Sequence, residues 1–334
     1  MISSNHSDHS DLSDHSDHSD HSDYSDHSDH SDHSDYSDHS DHSDYSDHSD
    51  HSDHSDHSNH SDHSDHSDYS NSKSPMNKIN QLFANSKDEK LLSLYFCAGC
   101  PTLDCTTDVI LAMQRRGIAM IEVGIPFSDP LADGPVIQSA ATKALKNGMT
   151  LKKLFGQLQS IKDQVQIPLV LMGYLNPILH YGIEAFCQAC VEAGVSGAII
   201  PDLPFDDYLN VVKPVADRYD LRIIMLITPE TSEERIRFID ANTDGFVYMV
   251  SSASITGTQK SFDEQKQAYF RRIDAMHLRN PRMIGFGISN AQTLKAAQDN
   301  AAGAIIGSKF VTLLNETKGD ADAALDQLFE ALNN

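Results

Sequence analysis

Thr107-Asp108-Val109-Ile110-Leu111-Ala112-Met113-Gln114-Arg115-Arg116-Gly117-Ile118-Ala119-Met120-Ile121-Glu122-Val123 is an amphipathic helix, a glycine stop and a buried strand in one run. Glycine just past the last periodic residue ends a helix cheaply. The same unit recurs through the chain. The spacing predicts strands at Leu91–Phe96, Met120–Val123, Pro168–Met172, Gly197–Ile200, Arg222–Ile227, Gly245–Val250, Met283–Phe286 and Gly303–Ile306. Several are near-continuous apolar runs, as parallel strands covered on both faces should be. Between them, Thr107–Arg116, Ile183–Ala193, Ser232–Ala241 and Ala291–Asn300 read as helices. Ile236 and Ile239, then Leu294 and Ala297, keep helical spacing. Eight such units in about 240 residues are the count of a (β/α)₈ barrel. A doubly wound open sheet would want a glycine-rich turn after its first strand. Cys97-Ala98-Gly99-Cys100-Pro101 is not that fingerprint.

Outside these units the composition changes abruptly. Residues 1–75 are almost pure His-Ser-Asp repeat and hold seventeen of the nineteen histidines. Such a tail has no apolar surface to bury, so disorder is the expectation. It reads either as an expanded simple-sequence repeat, or as the product of a start placed ahead of Met76, or as a metal-binding or solubilising appendage. The globular domain is expected over 76–334. The net charge of −24 belongs mostly to the tail, whose twenty Asp and one Lys carry −19 of it. The remaining charge of about −5 carries no basic patch of the kind nucleic acid selects. No apolar run reaches the roughly 18 residues of a membrane span. The first residues lack the apolar core of a signal peptide. Five cysteines fit a reducing cytoplasm.

In a barrel of this kind the chemistry sits at the C-terminal ends of the strands. Glu122 lies inside the second strand, where a carboxylate is costly unless paired or functional. Alternation sets it opposite in facing to Ile121 and Val123. If those two pack on helices, Glu122 points into the mouth, where burial raises its pKa into a range useful for proton transfer. The structural alternative is a Glu paired with an interior cation. The strand candidates hold no Lys, and Arg222 opens its strand at the bottom. The loop that follows, Ile125-Pro126-Phe127-Ser128-Asp129-Pro130-Leu131-Ala132-Asp133-Gly134-Pro135, adds two carboxylates. Asp129 before Pro130 and Asp133 before Gly134 also suit plain turn chemistry.

The last two strands run into Gly285-Phe286-Gly287-Ile288-Ser289 and Gly307-Ser308. Barrels often hold phosphate there, on backbone amides and a helix N-terminus. Tight turns alone would also use such glycines. After strand six, Ser251-Ser252-Ala253-Ser254-Ile255-Thr256-Gly257-Thr258-Gln259-Lys260 is small and polar, as a mobile lid would be. Gly257 is placed to give an amide to the phosphate, and Tyr248 ends the preceding strand. Cys97/Cys100 and Cys187/Cys190 are both C-x₂-C pairs, but about 87 residues separate them, too far for a zinc ribbon.

The run Ile121–Pro135 resembles the signature of the tryptophan synthase alpha subunit family. The resemblance continues through Leu171-Met172-Gly173-Tyr174-Leu175-Asn176-Pro177, Pro201-Asp202-Leu203-Pro204, Ser254-Ile255-Thr256-Gly257, Gly285–Ser289 and Gly307-Ser308. It covers essentially all of 76–334 and none of the tail. It implies retro-aldol cleavage of indole-3-glycerol phosphate to indole and glyceraldehyde 3-phosphate, with no cofactor in this subunit. Glu122 matches the catalytic Glu, which shuttles a proton between indole C3 and the glycerol hydroxyl. Asp133 matches the Asp that holds the indole N–H. Tyr248 matches an active-site Tyr, and Thr256 matches a lid Thr that contacts the Asp. Gly257, Gly287, Gly307 and Ser308 match phosphate contacts. Tyr95 and Tyr174 match aromatic positions around the indole. The resemblance further implies an α₂β₂ heterotetramer with a pyridoxal-phosphate beta subunit, and places Ser128–Asp129 toward that partner. Two residues depart from the pattern. Cys100 stands where an acidic residue is common, and Ser254 stands where the lid has Gly. The second puts lid kinetics in doubt.

Two other readings compete. Another phosphate-sugar barrel enzyme, such as an isomerase, would share the phosphate end but not this carboxylate loop. A catalytically weak subunit that mainly activates a partner would not need Glu122, Asp133 and Thr256 together.

Overall fold

The computed structural model describes residues 76–333 apart from 88, 251–258 and 286, and only the backbone of 259–264. The readings of the repeat tail, and of Thr256 and Gly257, therefore lie outside the described residues. Eight parallel strands close a barrel in chain order. They are β1 (Leu91–Cys97), β2 (Met120–Gly124), β3 (Leu169–Met172), β4 (Val195–Ile199), β5 (Arg222–Ile227), β6 (Val247–Val250), β7 (Arg282–Gly285) and β8 (Gly303–Ile306). The eight predicted strands are all present, β5 and β8 with the predicted ends and the other six with one or both ends moved by one or two residues. β6 starts late because Gly245 sits at φ +97°, outside strand geometry.

The helices follow the same logic. Gly117 at φ +79° and Gly194 at φ +78° end the helices Cys105–Arg115 and Ile183–Glu192, as a Cβ-free residue allows. Ser232 precedes the helix Glu233–Asn242 and accepts from the Arg235 amide, so it is a cap and not the first helical residue. Asn290 and Thr293 form a reciprocal cap at the start of Ala291–Asn300.

Several helices were not foreseen, among them Lys78–Asn85, Pro135–Lys146, Leu151–Ile161 and Ala321–Asn333. The helix Lys78–Asn85 lies across the bottom of the barrel. Asn77 caps it by accepting from the Ile79 amide, and its Nδ2 donates to the carbonyls of Ser196 at 2.9 Å and Asp220 at 2.7 Å. Ile79 is fully buried, close against Gly197 at the foot of β4. The barrel is therefore plugged below, and its interior opens at the C-terminal ends of the strands. Among the described residues no helix is long and apolar enough to cross a membrane.

Candidate active site

Register decides which side chains meet inside the mouth. Tyr95 on β1 is paired with Glu122 on β2, so the two share a layer and face inward together. Ile121 and Val123, on the alternate face, are fully buried in the core, as the sequence required. Glu122 is also 0% exposed, and neither of its oxygens has a hydrogen-bond partner among the described residues. Burial alone raises its pKa from 4.5 to about 8. A carboxyl in that state is mostly protonated at neutral pH and still able to give up its proton. The alternative of an interior ion pair is absent here: no described Lys or Arg bridges to Glu122.

Glu122 lines a cavity with Tyr95, Met172, Tyr248, Gly287 and Gly307, and with Ser308 and Lys309 at one end. Ile137, Ile288 and Ile305 add an apolar wall. Both tyrosines are buried and have raised pKa values. For Tyr248 the causes are burial first, then the carboxylates of Glu122 and Asp133. For Tyr95 they are burial, then Cys97, then the same two carboxylates. Each therefore stays a neutral phenol. Gly124, two residues beyond Glu122, must be glycine: a Cβ there would stand 2.2 Å from Tyr95 Oη.

Asp133 does not line this cavity. It sits half-buried in the loop after β2 and accepts from Tyr174 Oη at 3.1 Å. The same phenol oxygen accepts from the Ala132 amide at 2.9 Å. Burial raises the Asp133 pKa, and the Tyr174 hydrogen bond opposes the rise. Tyr174 is buried beside Phe127, with ring centroids 5.3 Å apart. The segment after β3 is held in turn by the loop after β4, since the Leu175 amide donates to Asp202 Oδ1 at 2.8 Å. Three motifs far apart in sequence thus brace one another at the mouth. At the tip of the same loop Asp129 is exposed, with Ser128 Oγ bonded to it, and Leu131 is 92% exposed.

The glycine-rich end lies at the C-terminal ends of β7 and β8. Gly287 sits at φ +75°, a conformation that leaves its backbone open. Gly307 precedes the helix Ser308–Glu316, whose first turn has neither a side-chain cap nor an acidic residue. The amides of that turn are free to meet a ligand. Sequence reasoning missed Lys309, Ser289 and the apolar wall. A Lys in the first turn of a helix opposes the helix dipole and was a signal to be read.

All five cysteines are free and buried, and burial raises each thiol's pKa. Among the described residues no three His, Cys, Asp or Glu side chains are grouped as a metal ion requires.

Comparison with known proteins agrees with this arrangement. Residues 83–334 match the family model described as tryptophan synthase alpha chain. The chain is 66% identical over 259 residues to the tryptophan synthase alpha chain of Phocaeicola vulgatus, covering 78% of this chain and all of that one. It is 62% identical over 257 residues to that of Bacteroides thetaiotaomicron, covering 77% and 100%. Among solved structures, the crystal structure of tryptophan synthase subunit alpha from Legionella pneumophila superposes with a TM-score of 0.70 at 33% identity, covering 77% of this chain and 97% of that one. The tryptophan synthase complex from Pyrococcus furiosus contains a chain that superposes with a TM-score of 0.65 at 32% identity, covering 72% and 97%. With a sealed eight-stranded barrel, a buried carboxyl at its mouth and matches along the whole globular part, the chain belongs to the tryptophan synthase alpha chain family.

Proposed function

We propose that Glu122 and Asp133 divide the work of the alpha reaction between them. The chain is a carbon–carbon lyase of tryptophan biosynthesis that cleaves indole-3-glycerol phosphate to indole and glyceraldehyde 3-phosphate. Glu122, protonated at neutral pH, gives its proton to indole C3. The ring becomes an indoleninium cation. Asp133, ionised, accepts the indole N–H and stabilises that charge. The Glu122 carboxylate then takes the proton of the glycerol hydroxyl. The electron pair released forms the aldehyde, the bond to C3 breaks and its electrons restore the indole. One proton enters and one returns, so no redox or electron-sink cofactor is needed in this subunit. The fully buried Glu122 carboxyl lining the cavity at the barrel mouth is the observation that carries this reading.

Tyr95 and Tyr248 wall the indole beside Glu122, and Tyr174 sets the Asp133 loop. Thr256 and Gly257 act from the lid. Gly257, Gly287, Gly307 and Ser308 take the phosphate. Indole then passes to a pyridoxal-phosphate beta subunit in an α₂β₂ complex, with exposed Asp129 and Leu131 at the contact. Five reduced thiols suit the cytoplasm. The chemistry belongs to residues 76–334, and residues 1–75 take no part in it. Purified protein should release indole from indole-3-glycerol phosphate slowly alone and faster with a beta subunit. Glu122→Gln should abolish release while the far-ultraviolet spectrum is unchanged. Full activity in that variant would refute the mechanism.

A further inference from the structure

We infer that Lys309 supplies a positive charge to the phosphate of the substrate, with Lys266 as a second ammonium nearby. This rests on reading the glycine-rich end as the phosphate site. Lys309 is the second residue of the helix Ser308–Glu316 and lines the same cavity as Glu122, Gly287, Ser289 and Gly307. A cation in the first turn works against the helix dipole, and no carboxylate there compensates it. Among the described residues Lys309 forms no ion pair and no side-chain hydrogen bond. The position is poor for the fold and good for an anion. At the other loop, Lys266 on the helix Gln259–Ala275 brings its Nζ to 3.6 Å from where a Cβ would stand on Gly287. The cavity between is built for a ligand: it is lined by the fully buried Glu122, whose two carboxyl oxygens have no hydrogen-bond partner among the described residues. Backbone amides and one hydroxyl would bind the phosphate by hydrogen bonds alone. Two ammonium groups add charge-assisted contacts and favour a doubly charged phosphate over a neutral or singly charged group.

The test compares wild type, Lys309→Met, Lys309→Arg and Lys266→Met in the full chain. In Lys309→Met, KM for indole-3-glycerol phosphate and Ki for glyceraldehyde 3-phosphate and inorganic phosphate should rise roughly tenfold, the loss of one charged hydrogen bond. Inhibition by indole, which has no phosphate, should not change. Lys309→Arg should restore most of the loss, and Lys266→Met should show a smaller rise of the same kind. Unchanged Ki values for both phosphate compounds in Lys309→Met would overturn the inference while leaving the alpha reaction standing. A parallel rise for indole would overturn it as well, since that marks a distorted cavity. A wild type that does not cleave the substrate would instead sink the reading on which it rests.

Discussion

Tyr174 Oη donates to Asp133 Oδ2 at 3.1 Å, and so a residue at the end of β3 positions a carboxylate that β2 alone leaves on a free loop. The same oxygen also holds the Ala132 amide. Tyr174→Phe removes both contacts and leaves the ring packed on Phe127. We expect kcat/KM to fall about tenfold, with stability lowered by about 1 kcal/mol. The hydrogen bond holds the Asp133 pKa down, so its loss should move the acid limb of the pH–rate profile upward. An unmoved acid limb would separate Tyr174 from Asp133.

The pH dependence of catalysis has a definite sign. In the proposed mechanism Glu122 must carry its proton to begin the reaction, and burial raises its pKa to about 8. kcat/KM should therefore hold at neutral pH and decline as pH rises through about 8. Asp133 must be ionised, so activity should also fall on the acid side, below its raised pKa. Steady-state rates between pH 5 and 10 would show the bell, and a flat alkaline limb to pH 10 would contradict the assignment.

Glu122 also links stability to pH. Below pH 4.5 both folded and unfolded chains keep its proton, and there is no penalty. Between 4.5 and about 8 the unfolded chain releases a proton that the folded chain keeps, so stability is lost as pH rises. The loss is at most about 5 kcal/mol, from about 1.36 kcal/mol per unit. Glu122→Gln lacks this term. Urea melts should show the variant gaining on wild type between pH 5 and pH 8, and parallel behaviour across that range would count against the buried carboxyl.

A Cβ on Gly124 would stand 2.2 Å from Tyr95 Oη and 2.6 Å from Cζ. Gly124→Ala should push the ring off its place, cost about 1–3 kcal/mol and remove most activity. Adding Tyr95→Leu should return much of the stability without the activity. A double-mutant cycle on thermal unfolding measures the coupling, and additive effects would mean that the ring moves freely.

Asn77 joins the capped helix Lys78–Asn85 to the feet of β4 and β5. Asn77→Ala should destabilise the barrel by about 2–3 kcal/mol, from one cap and two tertiary hydrogen bonds. Deleting 1–75 should leave both the melting temperature and the alpha reaction unchanged. A large loss on that deletion would give the repeat a role in the barrel.

Much of the barrel could be read directly because each strand is an apolar run and several helices end at a glycine. Gly117 and Gly194 mark two of those boundaries. The same periodicity put Glu122 inside the mouth before any contact was known. Three features stayed hidden for a physical reason. Asp133 and Tyr174 stand 41 positions apart, and nothing in either motif says that they touch. Asn77 looks like an ordinary cap until its second partner set, across the barrel, is seen. Lys309 breaks a local preference, and such a break has meaning only when the cavity it faces is known.

Among the described residues, the two oxygens of fully buried Glu122 have no partner. In the proposed mechanism the substrate's glycerol hydroxyl meets them. Ligand binding should therefore raise the melting temperature by more than its outer contacts supply, because it also relieves an internal deficit of the empty barrel. For anyone seeking a hardier version of this protein, one gain in the core lies at the position where a change ends the proposed chemistry.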